Sequence, residues 1–402
     1  MFVGANTRGP RDQRGPLARL WLFIMGLLGL KDPIIRAEEA EVDRIVRLWS
    51  RACEGVGLER RVDTVSGPTI ITPPIRHVIL GPPTVLSVQL LPGLLPQDVR
   101  DAAYRLAPHL GCHGLRVEPR GHGEWAVITL LAEDPLAEVD EFQDGPMTGP
   151  VAIGRDEDGL DILAEVDDLG HMICQGQTRS GKSTALYGLL AQVAQRKRAG
   201  YPIRVAGVDA SGLLLRPWMD TPDGKWCVAG LSDLHKVEMT LGLLVDEMDD
   251  RIRRIPDDAD RLPVTGDDPL TIVVLEEWPG VLRALDGADP KSAKRVRLLV
   301  SRLLAEGHKA GYRAWMIAQR AEAAIVGAAE RAQASYRISF RVDNAATVEL
   351  LHPEVDEATA VVHTTAAPGI GLLSAPGRPL TRFRGPFLSY ADYADRVSLT
   401  VQ

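Results

Sequence analysis

Apolar positions change their spacing several times along the chain, and each change marks an element or a boundary. Residues 35–54 carry Val42, Ile45, Val46 and Trp49 at helical intervals among charges and reach a natural stop at Gly55, which predicts an amphipathic helix. From Pro68 to Gly93 the runs TIITPPI and TVLSVQL are rich in β-branched residues and broken by Pro and Gly, as strands and turns require. A helix is expected over Pro96–Leu110. Two strands, GLRVEP and EWAVITLL, follow around a Gly121-His122-Gly123 turn. Together these elements predict a small α+β domain over 61–132, behind an N-terminal helical segment, 1–60.

Residues 133–150, EDPLAEVDEFQDGPMTGP, are acidic and contain three prolines and two glycines, so the main linker is expected there. Beyond it, over 151–402, strand and helix patterns alternate. HMICQG reads as a short buried strand, Lys182 to about Ala199 as a helix, and IRVAGVD as a second strand. Leu234, Val237, Leu241, Leu244, Met248 and Ile252 share one side of a long helix over about Leu231–Ile255. TIVVL, YRAWMIA and YRISFRV supply further strands. Near-continuous apolar strands separated by helices predict an α/β fold, a mainly parallel sheet covered by helices on both faces.

Composition narrows the class. With 402 residues, 45% hydrophobic and 25% charged, the chain can bury a real core and is too apolar to be disordered. A formal net charge of −8 excludes bulk attraction to nucleic acid, so any such contact must be local. Cys53, Cys112, Cys174 and Cys227 lie far apart without paired spacing, which argues against a zinc site or disulfide framework and points to a reducing compartment. The apolar run 17–30, LARLWLFIMGLLGL, follows Arg8, Arg11 and Arg14 and is short for a span. A helix docked on protein, a peripheral membrane helix and a short span all remain open; the compartment expected is the cytoplasm, including the inner face of the cell membrane if this run binds lipid.

The strongest chemical signal is Gly176-Gln177-Thr178-Arg179-Ser180-Gly181-Lys182-Ser183, which satisfies the phosphate-loop pattern between a predicted strand and a predicted helix. In that setting backbone N–H groups and a helix N-terminus converge on an anion. Lys182 is expected against the β- and γ-phosphates of ATP, the Ser183 hydroxyl on Mg²⁺, and Thr184 on a phosphate. Such a site also needs carboxylates at a neighbouring strand end. Glu276 and Glu277 follow TIVVL, with Glu276 assigned to Mg²⁺ and Glu277 to polarising the attacking water. Gln319 ends YRAWMIA, from where it can sense the γ-phosphate. Asp209 ends IRVAGVD and reads equally as a turn residue.

In this order, GQTRSGKST, VVLEEW, AWMIAQR and YRISFRVDN resemble the motor domain of FtsK/SpoIIIE DNA translocases, over about Pro150–Tyr390. The Glu-Glu pair and the tail GLLSAPGRPLTRFRGPFLS look especially like the Tra proteins that move plasmid DNA between actinobacterial cells. The resemblance implies a RecA-like P-loop NTPase fold and an ATP-driven double-stranded DNA translocase. It further implies a homo-oligomeric ring, a hexamer, acting in conjugative or intercellular DNA transfer or in chromosome or plasmid segregation. Arg337 matches a family position from which an arginine reaches the neighbouring subunit's nucleotide, with Arg341 the second choice. Arg179 stands where the family usually has glycine.

Between Arg283 and Arg313 eight Lys or Arg stand against three acids, a local excess of +5. Lys291, Lys294, Arg295 and Arg297 are the expected contacts to the DNA backbone, where a ring would concentrate their charge around one lumen. Two other readings compete: a type VII secretion-like ATPase that moves protein, and a nucleotide-gated coupling or scaffold subunit.

Overall fold

The computed structural model describes residues 33–64, 67–144, 149–320 and 327–401, so the 17–30 run and its membrane reading lie outside the described residues. Among the described residues no helix is long and apolar enough to cross a membrane. The chain divides into two compact units, 1–137 and 138–402, the change falling inside the acidic Pro/Gly stretch.

In the first unit, α1 (Pro33–Val56) precedes a β1–β2 hairpin (Arg60–Thr64, Gly67–Ile71). An antiparallel sheet of order β3-β4-β6-β5 follows, from Ile75–Ile79, Thr84–Gln89, Gly114–Arg120 and Trp125–Leu131, with α2 (Pro96–Leu110) between β4 and β5. Helix α1 runs one residue past Gly55 and stops at Val56, before Gly57, whose φ of 83° suits a residue without a side chain. Its apolar stripe, Ile45, Trp49, Ala52 and Cys53, enters one core with Leu86, Leu106 and Ile128. Trp49 Nε1 donates to the Pro73 carbonyl at 2.7 Å. Helix and sheet therefore share a core across residue 60.

The second unit is built on one ten-stranded sheet of order β11-β10-β12-β13-β9-β14-β15-β16-β7-β8. Its parallel half comprises β9 (Met172–Gln175), β10 (Ile203–Asp209), β11 (Cys227–Ala229), β12 (Leu270–Glu276), β13 (Tyr312–Ala318) and β14 (Tyr336–Phe340). Every residue of β10 and β13 is buried, as a sheet covered on both faces demands. Alternate strand positions feed two separate cores. Cys174, Val205, Val274 and Trp315 meet α3 (Lys182–Arg198) on one face, while Ile173, Val208, Val273 and Met316 meet α4 (Leu234–Arg253), α5 (Trp278–Ala288) and α6 (Pro290–Glu306) on the other.

The remaining four strands are antiparallel: β7 (Val151–Asp156), β8 (Asp161–Ala164), β15 (Ile370–Ser374) and β16 (Thr381–Arg384). They extend the sheet beyond β14 and bring the segment before β15 beside the central strands. Three short helices complete the unit before its last: α7 (Ala328–Gln333), α8 (Ala345–Leu351) and α9 (Glu357–His363). Helix α10 (Tyr390–Ser398) closes it against the α3 face, where Tyr393 stacks on Tyr187 with ring centroids 4.9 Å apart.

A buried ion cluster locks α4 to the sheet. Arg251 is fully buried and donates to the Pro269 and Ala310 carbonyls at 2.8 and 3.1 Å and to Glu247 at 2.8 Å. Replacing it by Met strands those acceptors away from water, so Arg251→Met is expected to cost about 3 kcal/mol. A lowered urea midpoint followed by tryptophan fluorescence checks it; an unchanged midpoint contradicts the role.

Candidate functional site

Strand β9 lies between β13 and β14, and the phosphate loop leaves its end. That central place supplies supports from both sides: the Gly176 amide donates to the Ala318 carbonyl at 3.3 Å, and the Gln177 amide to the Arg341 carbonyl at 2.9 Å. Two glycines are sterically required. A Cβ on Gly176 would lie 2.6 Å from Ser180 Oγ, and one on Gly181 would lie 2.3 Å from the Gly369 amide nitrogen. Gly181 also adopts φ 94° as it opens α3, and no side chain caps that helix, so its first N–H groups are directed to a ligand.

Gln177, Thr178, Arg179, Ser180, Gly181, Lys182, Ser183, Thr184, Glu276, Glu277 and Gln319 line one cavity of about 230 Å³. The structure thus gathers residues separated by more than a hundred positions. Lys182 is 7% exposed, its Nζ donating to the Ala318 carbonyl at 3.1 Å and lying 3.5 Å from Glu277 Oε1. Thr184 Oγ1 donates to the Gly181 carbonyl at 2.8 Å, so it braces the helix start. A wider cavity of about 1260 Å³ is lined by Glu354, His363, Arg378 and Arg382, but Arg378 and Arg382 are already paired with Asp156 and Glu157. The chemistry lies at the smaller one.

Glu276 ends β12 opposite Asp209 at the end of β10. Burial, then the hydrogen bond to and the charge of Asp209, then the charge of Glu277, push the Glu276 carboxyl up to about 8, against the pull of Lys182. Asp209 is fully buried, and its carboxylate accepts from the Ser211 hydroxyl at 2.7 Å and the Gly212 and Leu215 amides at 2.8 and 2.9 Å. It shapes the turn after β10 and sets the field at Glu276 at once. Glu277, the first residue past the strand, sits at φ 45° and ψ 45° as it caps α5. A non-glycine residue there is strained, and strain of that kind concentrates at functional sites.

Hard oxygen donors in a site of excess negative charge suit Mg²⁺. Ser183 and Glu276 fit that ion, since a divalent cation would ionise the Glu276 carboxyl that burial now disfavours.

Outside this cavity the expected residues scatter. Arg337 lies near the start of β14, three residues before the strand's end. Its guanidinium donates to the Ala334 and Arg331 carbonyls at 3.3 and 3.1 Å, away from its own phosphate loop. Arg341 instead braces the loop from within, donating to the Ala366 and Arg179 carbonyls. Lys291, Lys294, Arg295 and Arg297 all lie on α6 and are exposed, but Arg295 is paired with Glu238 and Arg297 with Asp286. Arg302 is paired with Asp249, and Arg313 is 3% exposed and bonded to the Leu169 and Asp167 carbonyls. The +5 excess therefore shrinks to a few cations without a carboxylate partner among the described residues, Lys291 and Lys294 among them. The acids that neutralise Arg295 and Arg302, Glu238 and Asp249, come from α4, which sequence counting does not bring near. Gly369, whose amide donates to the Ser180 carbonyl at 2.8 Å, was also missed; its Pro368-Gly369 dipeptide signals only a turn.

Fold and site together are those of a P-loop nucleotide-binding domain, and its resemblance is to FtsK/SpoIIIE proteins. Residues 134–262 match the FtsK/SpoIIIE family model. The chain is 21% identical over 299 residues to the DNA translocase FtsK of Rickettsia prowazekii, covering 64% of this chain and 38% of that protein. It is 22% identical over 357 residues to FtsK of Listeria monocytogenes, covering 81% and 45%. It spans less than half the length of either relative. Among solved structures it resembles the pCW3 conjugation coupling protein TcpA in its monomer form with ATPγS, with TM-score 0.50 and 16% identity over 88% of this chain and 98% of that one.

Because Gly181 has neither steric room nor a favourable φ for a side chain, Gly181→Ala is expected to weaken ATPγS binding at least about tenfold. Titration calorimetry with a parallel melting curve checks it, and wild-type affinity would show that the loop tolerates the clash.

Proposed function

We propose that this chain hydrolyses ATP and uses the energy to move double-stranded DNA, as a ring of identical subunits serving conjugative or intercellular DNA transfer or DNA segregation. The observation that carries the hydrolytic part is the pair across the cavity: Glu277, held in a strained backbone, lies 3.5 Å from the phosphate-loop lysine. Lys182 exchanges that carboxylate for the β- and γ-phosphates when ATP enters, and Glu277 is released toward water. Glu277 then accepts the proton of the water that attacks the γ-phosphorus as the bond to the β-phosphate oxygen breaks. Gln319, at the lip, donates to a γ-phosphate oxygen. Ser183 and Glu276 would hold Mg²⁺, whose charge neutralises the phosphate oxygens.

The DNA part is supported by the relatives, which are DNA translocases, and by Lys291 and Lys294 exposed on α6, the helix that follows the catalytic strand and α5. Phosphate contacts by two unpaired lysines per subunit, repeated around a ring, give affinity without a basic surface overall. In a ring, Arg337 would complete the site of the adjacent subunit, leaving its two carbonyls to stabilise charge in the transition state.

Duplex DNA is expected to raise the ATPase rate of the purified protein and Lys182→Ala to abolish it. Glu277→Gln should keep ATPγS affinity while kcat falls by about 10² to 10⁴. A DNA-indifferent ATPase would remove the polymer from the reading, and an active Glu277→Gln would remove the base. Replacing Lys291 and Lys294 by Ala should flatten the dependence of DNA affinity on salt by about two logarithmic units of slope, more than the same change at the paired Arg295 and Arg297. Fluorescence anisotropy at several salt concentrations measures this; equal effects of both pairs would contradict it.

A further inference from the structure

The phosphate loop has a back as well as a front. Residues 366–369, between α9 and β15, lean on it there: the Gly369 amide holds the Ser180 carbonyl at 2.8 Å, and the Ala366 carbonyl accepts from Arg341 Nη1 at 3.0 Å. Nη2 of the same arginine donates to the Arg179 carbonyl at 3.3 Å, and the Arg341 carbonyl takes the Gln177 amide at 2.9 Å. One residue at the end of β14 thus fastens two points of the loop and ties them to a segment behind it. Its Nε is buried without a partner, and no carboxylate pairs with its charge among the described residues, so the guanidinium is committed to these carbonyls.

The fastening meets a particular need. Arg179 adopts φ 63°, in the left-handed region that L side chains avoid, and this turn helps direct the following N–H groups into the cavity. A charged donor on the Arg179 carbonyl favours that orientation of the peptide, and the positive charge of Arg341 adds to the field that draws an anion to the loop.

We propose that Arg341 is a positioning residue for the nucleotide, acting inside its own subunit by holding the Arg179 peptide in the turn that aims the loop at the phosphates. The proposal rests on the ATP-binding reading above and assigns it a residue that never touches the ligand cavity itself.

The test is ATPγS binding and steady-state ATPase by the purified full chain, with melting curves as the control for folding. Arg341→Ala is expected to weaken ATPγS binding and raise KM for ATP about tenfold, the loss of one charged hydrogen bond, with kcat at saturating ATP near wild type. Arg341→Lys, reaching one carbonyl at a time, falls between. Adding Arg179→Gly to Arg341→Ala should recover most of the affinity, because glycine adopts a positive φ without restraint. A merely structural loss of stability would not be repaired by that glycine.

Unchanged affinity with a fall in kcat would overturn the proposal and put Arg341 across a subunit boundary on the transition state. Failure of the glycine to rescue would overturn the route through residue 179. Absence of ATPγS binding by the wild-type chain would instead overturn the nucleotide reading on which both stand.

Discussion

The whole site depends on backbone meeting backbone at Gly181. There the chain turns through φ 94° with no Cβ, close enough to the Gly369 amide that any side chain would collide with it. Only that approach lets the last residues of the loop rise off β9 and begin α3 with their N–H groups unspent. The ten-stranded order serves the same end, since β13 and β14 flank β9 and each lends a carbonyl to the loop's first residues. The antiparallel extension, β15 and β16, returns the chain so that Gly369 can be there at all.

Around this frame the charges are balanced by proximity rather than by pairing. Asp209, Glu276 and Glu277 stand at adjoining strand ends, with Lys182 beside the two glutamates, and burial together with Asp209 pushes the Glu276 carboxyl well above the usual carboxylate range. Such a surplus of carboxylate suits a site that receives a cation together with a polyanion. The same economy appears at Glu277, whose strained backbone is held by α5 behind it.

The arginines of α6 are the reverse: each is held by a nearby carboxylate. Arg295 and Arg302 on α6 are held by Glu238 and Asp249 on α4, and Arg297 by Asp286 on α5. Exposed pairs of this kind contribute little stability, yet they remove formal positive charge from the face a polyanion would meet. Any attraction of this face to a polyanion would therefore fall to fewer side chains than the composition of the helix implies.

Reading residues in order was enough for whatever depends on neighbours in the chain. The phosphate loop, the Glu276-Glu277 strand end, Gln319, α2 and the parallel strands all announce themselves through local spacing, because glycine tolerance, helix periodicity and strand burial act over a few residues. The resemblance to FtsK/SpoIIIE motors was legible for the same reason, its motifs being short and in order. What only the tertiary structure decided is everything that joins distant segments. Asp209 reaching Glu276, Arg341 and Gly369 bracing the loop, α1 entering the core of the first unit, and the acids of α4 silencing the arginines of α6 all follow from sheet order and helix packing. Hydrogen bonds and screened charges act over only a few ångströms, so a residue's partners are set by where the fold carries it and not by its place in the chain.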